Sequence, residues 1–196
     1  NLIGRYLASP GNSRVSPEAV SLVAYGAPPG SLGDLEASTH LQGELLGSML
    51  DLIVRDATGG RRSIDDVMRA MLEQFSGTRG FTGRDIQATT ARVCGCRVEE
   101  FFAARARGAT PIDFDRYLRL AGLTTRVTSE PALDRENRPA KDLRIRAWLP
   151  PGEQNLSLLI INPEAIWGRA GLHTGDRLRS INGAAVTQVN EFRNLL

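Results

Sequence analysis

The sequence predicts an α+β protein in two parts, an all-α helical bundle followed by a small β/α module. Three observations predict it. From Gly43 to Gly122, apolar residues recur at helical spacing, and several of the runs open on a capping residue. After Leu123 that spacing ends, and residues 124–142 turn polar and carry Pro131 and Pro139. From Arg144 onward the chain shows short alternating or apolar runs broken by Gly and Pro, the pattern of strands and turns. The expected organisation is a helical part over residues 1–123, a linker over 124–142 and the β/α module over 143–196.

The first thirty residues are mixed, with turn signals at Pro10-Gly11-Asn12 and Pro28-Pro29-Gly30 around the apolar stretch Val20 to Tyr25. The run "GELLGSMLDLIVR", Gly43 to Arg55, is apolar on nearly every face and predicts a buried central helix. Gly43 and Gly47 share a face and would let another backbone come close, at a cost in helix propensity. Thr58-Gly59-Gly60 stops this helix. Ser63 and Asp66 form a capping-box start, and Ile64, Val67, Met68, Met71, Leu72 and Phe75 follow as one apolar stripe. Asp65 and Arg69 stand four apart on the wet face. Thr82 and Asp85 repeat the cap, with Phe81 and Ile86 placed as a hydrophobic staple. A helix is expected from Val98 to Arg107 with Phe101 and Phe102 inward. The last one starts at Thr110-Pro111-Ile112-Asp113, with Pro111 at the first helical position, and ends at Gly122. In the second part, Arg144 to Trp148 and Leu156 to Ile161 read as strands.

Composition narrows the function. The chain has 24 Lys and Arg against 22 Asp and Glu, and its basic residues are spread along its length, so no nucleic-acid partner is expected. No apolar run reaches the length of a membrane span. A chain that opens on Asn1 reads as a piece of a longer one, so its start says little about targeting, and no compartment is indicated. Cys94 and Cys96 are too few for a four-ligand zinc site and read as two small apolar side chains near a helix end, a disulfide across one residue being strained. There is no G-x-S-x-G, and "TGGRR" lacks the G-K-[ST] of a phosphate loop. Asp65, Asp66, Glu99 and Glu100 fall on solvated helix faces.

The stretch "WGRAGLHTGDRLRSING", residues 167–183, carries more specific information. Ala165 to Ala170 reads as a short helix, with Gly171 in the left-handed position after it. Leu172 plugs the core, Gly175 turns, and Asp176 accepts backbone N–H bonds. Arg177 to Ile181 is a strand, Asn182-Gly183 a two-residue hairpin turn, Val186 the end of the next strand, and a closing helix begins near Val189. With Pro163, Phe192 and Leu195, this pattern resembles a PDZ domain of the bacterial protease-associated kind, here without its last strand. The resemblance implies binding of peptides or protein C-termini by strand addition. It places the groove between Leu158, Ile160 and Ile161 on one side and Phe192 and Leu196 on the other. It also implies an unpaired sheet edge open to a neighbouring molecule.

The helical part resembles the C-terminal subdomain of glycyl aminopeptidase-family zinc metallopeptidases. The carriers are Gly43 with "LLGSMLDL", Arg55, "TGGRRSIDDVM", "GFTGRDI", "EEFFAARARG" and "IDFDRYLRLAGL". The resemblance implies a thermolysin-like protein whose helical part walls the substrate cleft. Its chemistry would use a zinc ion held by H-E-x-x-H. That motif is missing, and the only histidines are His40 and His173, so zinc is implied for a longer parent and not for these residues. His40, near a position where the family carries an aromatic pair, is a candidate to stabilise an oxyanion in the parent. The chain alone is expected to be inactive. The alternative is a non-enzymatic helical adaptor with a peptide-binding PDZ domain.

Overall fold

A computed structural model describes residues 2–141 and 143–196. They form two compact units that interleave in sequence. The first gathers residues 1–6, 12–19 and 38–127; the second gathers 7–11, 20–37 and 128–196. The expected helical part over 1–123 is therefore not one body, because 7–11 and 20–37 pack with the C-terminal residues.

Two short helices lie where the signals in the sequence are mixed, α1 (Leu2–Ala8) and α2 (Pro17–Ala24). Helix α3 (Thr39–Thr58) is the axis of the first unit. It begins earlier than its apolar run because Ser38 caps it, accepting the Leu41 N–H, and it ends on Gly59 in the left-handed conformation. Leu41, Leu45, Met49, Leu50 and Val54 carry its buried face. Gly43 and Gly47 point elsewhere: a Cβ built on either meets nothing within 4 Å. Among the described residues no backbone approaches them, contrary to the expectation from their spacing.

Helices α4 (Ile64–Phe75) and α5 (Gly83–Cys94) pack beside α3, and each opens on a complete capping box, Ser63 with Asp66 and Thr82 with Asp85. On α4 only Val67, Met71 and Phe75 are fully buried, while Met68 and Leu72 stay 61% and 68% exposed. The apolar stripe is wider than the contact it makes. Arg69 reaches Asp66 at 3.5 Å rather than pairing with Asp65. Phe81 lies edge-on to Phe75, 6.5 Å between centroids.

The helix expected over Val98–Arg107 is a single α-turn, α6 (Glu99–Phe101), continued by a π-helical turn over Phe102–Arg107. Phe101 and Phe102 do point inward. The next helix, α7 (Phe114–Leu118), is capped by Asp113, which accepts the Arg116 N–H, and not by Thr110. Residues 110–112 are held outside the helix by other partners. The Thr110 N–H donates to the Ala104 carbonyl, and the Arg105 guanidinium donates to the carbonyls of Thr110 and Pro111. Ile112 is thereby free to enter the core. Tyr6, Phe101, Phe102, Phe114 and Tyr117 complete that core.

A buried polar cluster ties the beginning of the first unit to α3. Gln42 is 1% exposed, and its Nε2 donates to the carbonyls of Asn12 (3.1 Å) and Val15 (3.3 Å). Asn12 in turn donates to the Tyr6 carbonyl and accepts the Ser38 N–H, both at 3.2 Å.

The second unit is built on an antiparallel sheet of β1 (Ile145–Trp148), β2 (Leu156–Ile160) and β3 (Arg177–Leu178), in that order. Helix α8 (Ile166–Arg169) precedes β3, and Gly171 follows it at φ 86°. A separate hairpin pairs β4 (Ser180–Ile181) with β5 (Ala184–Ala185) across Asn182-Gly183, both at positive φ. The expected single strand over Arg177–Ile181 is thus broken at Arg179, its two halves serving different partners. Helix α9 (Val189–Leu195) closes the unit with Phe192 in a core made by Ile145, Ala147, Leu156, Leu158, Ile160 and Val186.

Candidate functional site

The sheet of the second unit fixes where an extended ligand can pair. Strand β2 is occupied on both sides. Its residues 157–160 pair with β1, while Leu156 and Ser157 pair with β3. Further along, Leu158 donates its N–H to Asp176 and accepts from Gly175, and the Ile160 N–H donates to Thr174 Oγ1 at 2.9 Å. The expected groove along Leu158–Ile161 is therefore filled by the chain itself. The side chains of Leu158, Ile160 and Phe192 are spent in the core, and Leu196 packs against it. Ile161 lines a cavity on the sheet's other face.

One open edge of the sheet is β1. The Ile161 N–H donates to the Arg144 carbonyl, which makes 144↔161 a hydrogen-bonded pair. In an antiparallel ladder such pairs alternate, so Arg146 and Trp148 also face β2. The N–H and C=O groups of Ile145 and Ala147 then point away from β2. Among the described residues no strand pairs with that side. Helix α9 contacts β1; its Phe192 is buried and its Leu195 is 48% exposed.

On the sheet's outer face, residues 20–37 form a strap. Between strap and sheet lies a cavity of about 270 Å³, walled by Val20, Leu35, Arg146, Leu159 and Ile161 among others. Asp34 anchors the strap, accepting the Thr174 N–H at 2.5 Å and standing 2.8 Å from His173 Nδ1. Glu36 pairs with Arg146 at 2.7 Å. The strap fits closely, for a Cβ on Gly30 would come within 2.7 Å of Thr174 Cγ2. Burial pushes the Asp34 carboxyl up, but hydrogen bonds from His173 and Thr174 outweigh it and hold it below the usual range. The hydrogen bond to Asp34 and its negative charge raise the His173 imidazole above its ordinary value. In the sequence His173 was only a turn residue; its partner lies 139 positions away, beyond any local signal.

No known protein family and no curated protein matches the sequence.

In the first unit, His40 sits exposed on the first turn of α3. Among the described residues no group of three His, Cys, Asp or Glu side chains can hold a metal ion. No helix among the described residues is long and apolar enough to cross a membrane.

The cysteines depart from expectation. Cys94 and Cys96 are bonded to each other as a disulfide at the C-terminus of α5. Gly95 between them adopts φ 62°, a left-handed turn that folds one cysteine back toward the other.

Proposed function

We propose that the chain binds extended peptides, and that the β1 edge beside α9 is the binding groove. The observation that carries this is the outward direction of the Ile145 and Ala147 backbone groups on an edge strand in contact with a helix. A peptide laid along β1 satisfies those groups by becoming a fourth strand, and its alternate side chains meet α9. The PDZ resemblance supports the same mode, with the edge moved from the strand at 156–161 to the strand at 145–148. The ligand class is a peptide or protein C-terminus.

The aminopeptidase resemblance of the helical unit supports a second element of the proposal: this unit walls a peptide cleft in a metallopeptidase-like protein, with the peptide-binding module handling the same class of ligand. The purified chain should show no chelator-sensitive peptidase activity, since its sequence carries no H-E-x-x-H.

The test is selection from a displayed library of random C-terminal peptides, followed by titration of the best peptide. Ala147→Pro removes an N–H that the fold itself does not use, and an edge strand accepts proline where its N–H points outward. Affinity should fall at least tenfold while the circular dichroism spectrum persists. A library that yields no binder, or a variant that binds unchanged, refutes the proposal.

A further inference from the structure

We propose that the Cys94–Cys96 disulfide is a redox site that exchanges with a small carboxylate-bearing thiol taken up in the cavity that Cys96 lines. This goes beyond peptide binding and rests on a different unit.

Three observations carry it. First, the two sulfurs are not equivalent. Cys94 is 7% exposed and belongs to the core, whereas Cys96 is half-buried and lines a cavity of about 320 Å³. An incoming thiolate therefore reaches Cys96 and not Cys94. Second, the buried sulfur is prepared to leave. The Cys96 N–H points at Cys94 Sγ from 3.2 Å and stabilises negative charge there. The Ala91 carbonyl lies 3.7 Å from the same sulfur and accepts its proton once it is a thiol. Third, the cavity wall carries Arg97, Arg105 and Arg116 with Asp56 and Glu100. Arg105 is held by the carbonyls of Thr110 and Pro111, which leaves Arg97 and Arg116 to meet a carboxylate. The two acids suit an ammonium group, so the thiol is of amino-acid type. Part of the wall, Ala104 and Arg105, comes from the π-helical turn, an irregularity that frequently marks functional places.

A structural role explains the bond poorly. Chain-entropy stabilisation by a disulfide grows with the loop it closes, and this one closes the shortest loop that still has a residue inside.

The exchange balances as follows. The thiolate attacks Cys96 Sγ; the electron pair of the S–S bond leaves on Cys94 Sγ, which takes up a proton. The product is a mixed disulfide on Cys96. A second thiolate attacks the ligand's sulfur and expels Cys96 as thiolate, which is then protonated. Two thiols are oxidised to one free disulfide, and the protein disulfide is reduced to two thiols.

The experiment uses the whole chain with glutathione as the anionic thiol and 2-mercaptoethanol as the neutral one. Native reduction should raise the titratable thiols from none to both cysteines. At equal thiolate concentration, glutathione should react at least tenfold faster. Arg97→Gln and Arg116→Gln together should remove most of that advantage and leave the 2-mercaptoethanol rate unchanged. Brief treatment of the reduced protein with oxidised glutathione, then acid quench and peptide mapping, should place the adduct on Cys96. Cys94→Ser should make that adduct persist. The proposal is overturned by free thiols that stay unpaired in oxidised glutathione, by a disulfide that resists reduction until the protein unfolds, by equal rates for the two thiols, or by an adduct on Cys94.

Discussion

Replacing Gly43 and Gly47 with alanine asks whether α3 is wrapped on every side or only along one face. The sequence pattern suggested a close backbone at these glycines; in the structure, a Cβ at either position meets nothing within 4 Å. Neither residue is among those with positive φ, so alanine fits the existing helical backbone. What remains is helix propensity, about 1 kcal/mol in favour of alanine at each helix-interior glycine. The two positions are neighbours on one face, so roughly 2 kcal/mol is the upper limit of their joint gain. For a unit of about one hundred residues each kcal/mol raises the melting temperature by roughly 4–8 °C, and the double variant should melt at most about 8–15 °C higher. The assay is thermal unfolding followed by ellipticity at 222 nm, where the helical unit dominates, with each single variant measured beside the double. No gain, or a loss, would mean that something packs against this face, and the one-sided account of α3 would be wrong.

Gly168→Ala should do the opposite: its Cβ would lie 2.3 Å from the Pro163 carbonyl oxygen and 2.5 Å from Pro163 Cα, and calorimetry should show a loss of about 1–3 kcal/mol in the second unit. Thr82→Ala removes the oxygen that accepts the Asp85 N–H and should cost about 1 kcal/mol in denaturant unfolding. Gln42→Leu strands the Asn12 and Val15 carbonyls in the interior and should cost about 1–3 kcal/mol in the same assay. The His173–Asp34 pair makes strap attachment depend on pH. The raised His173 contributes fully below 6.5 and loses its contribution as pH rises through its folded value. The lowered Asp34 contributes fully above 3.8 and loses its contribution as pH falls through its own. Stability from the pair is therefore greatest between those limits. An NMR titration should place His173 above 6.5 and return it toward 6.5 in Asp34→Asn; an unmoved titration would contradict the pairing.

Local chemistry was legible in the sequence, and contacts between distant residues were not. The Ser63/Asp66 and Thr82/Asp85 capping boxes, the left-handed Gly59 and Gly171 and the Asn182-Gly183 turn each depend on a few consecutive residues, and the structure forms all of them. Thr110-Pro111 has the form of a cap and does not act as one, because Arg105 takes the neighbouring carbonyls. Helices α1 and α2 are only 7 and 8 residues long, too short for a helical period to stand out from the turn signals around them. The strap is invisible to periodicity, since Asp34 and Glu36 find His173, Thr174 and Arg146 more than a hundred residues later. The expected groove falls on a strand that the structure pairs on both sides. An apolar run such as Leu156–Ile160 marks a buried strand, and a strand paired on both sides is buried for the same reason that it cannot accept a ligand. The edge strand Ile145–Trp148 alternates instead, one face in the core and one carrying Arg146.

Amide hydrogen exchange at Ile145 and Ala147 tests the central claim most directly. In the free protein both amides should exchange freely while the Leu158 and Ile160 amides are protected, and saturation with the best selected peptide should slow Ile145 and Ala147 at least tenfold. Protection of both amides before any peptide is added, or no change at saturation, would show that the β1 edge is not where this protein takes hold of its ligand.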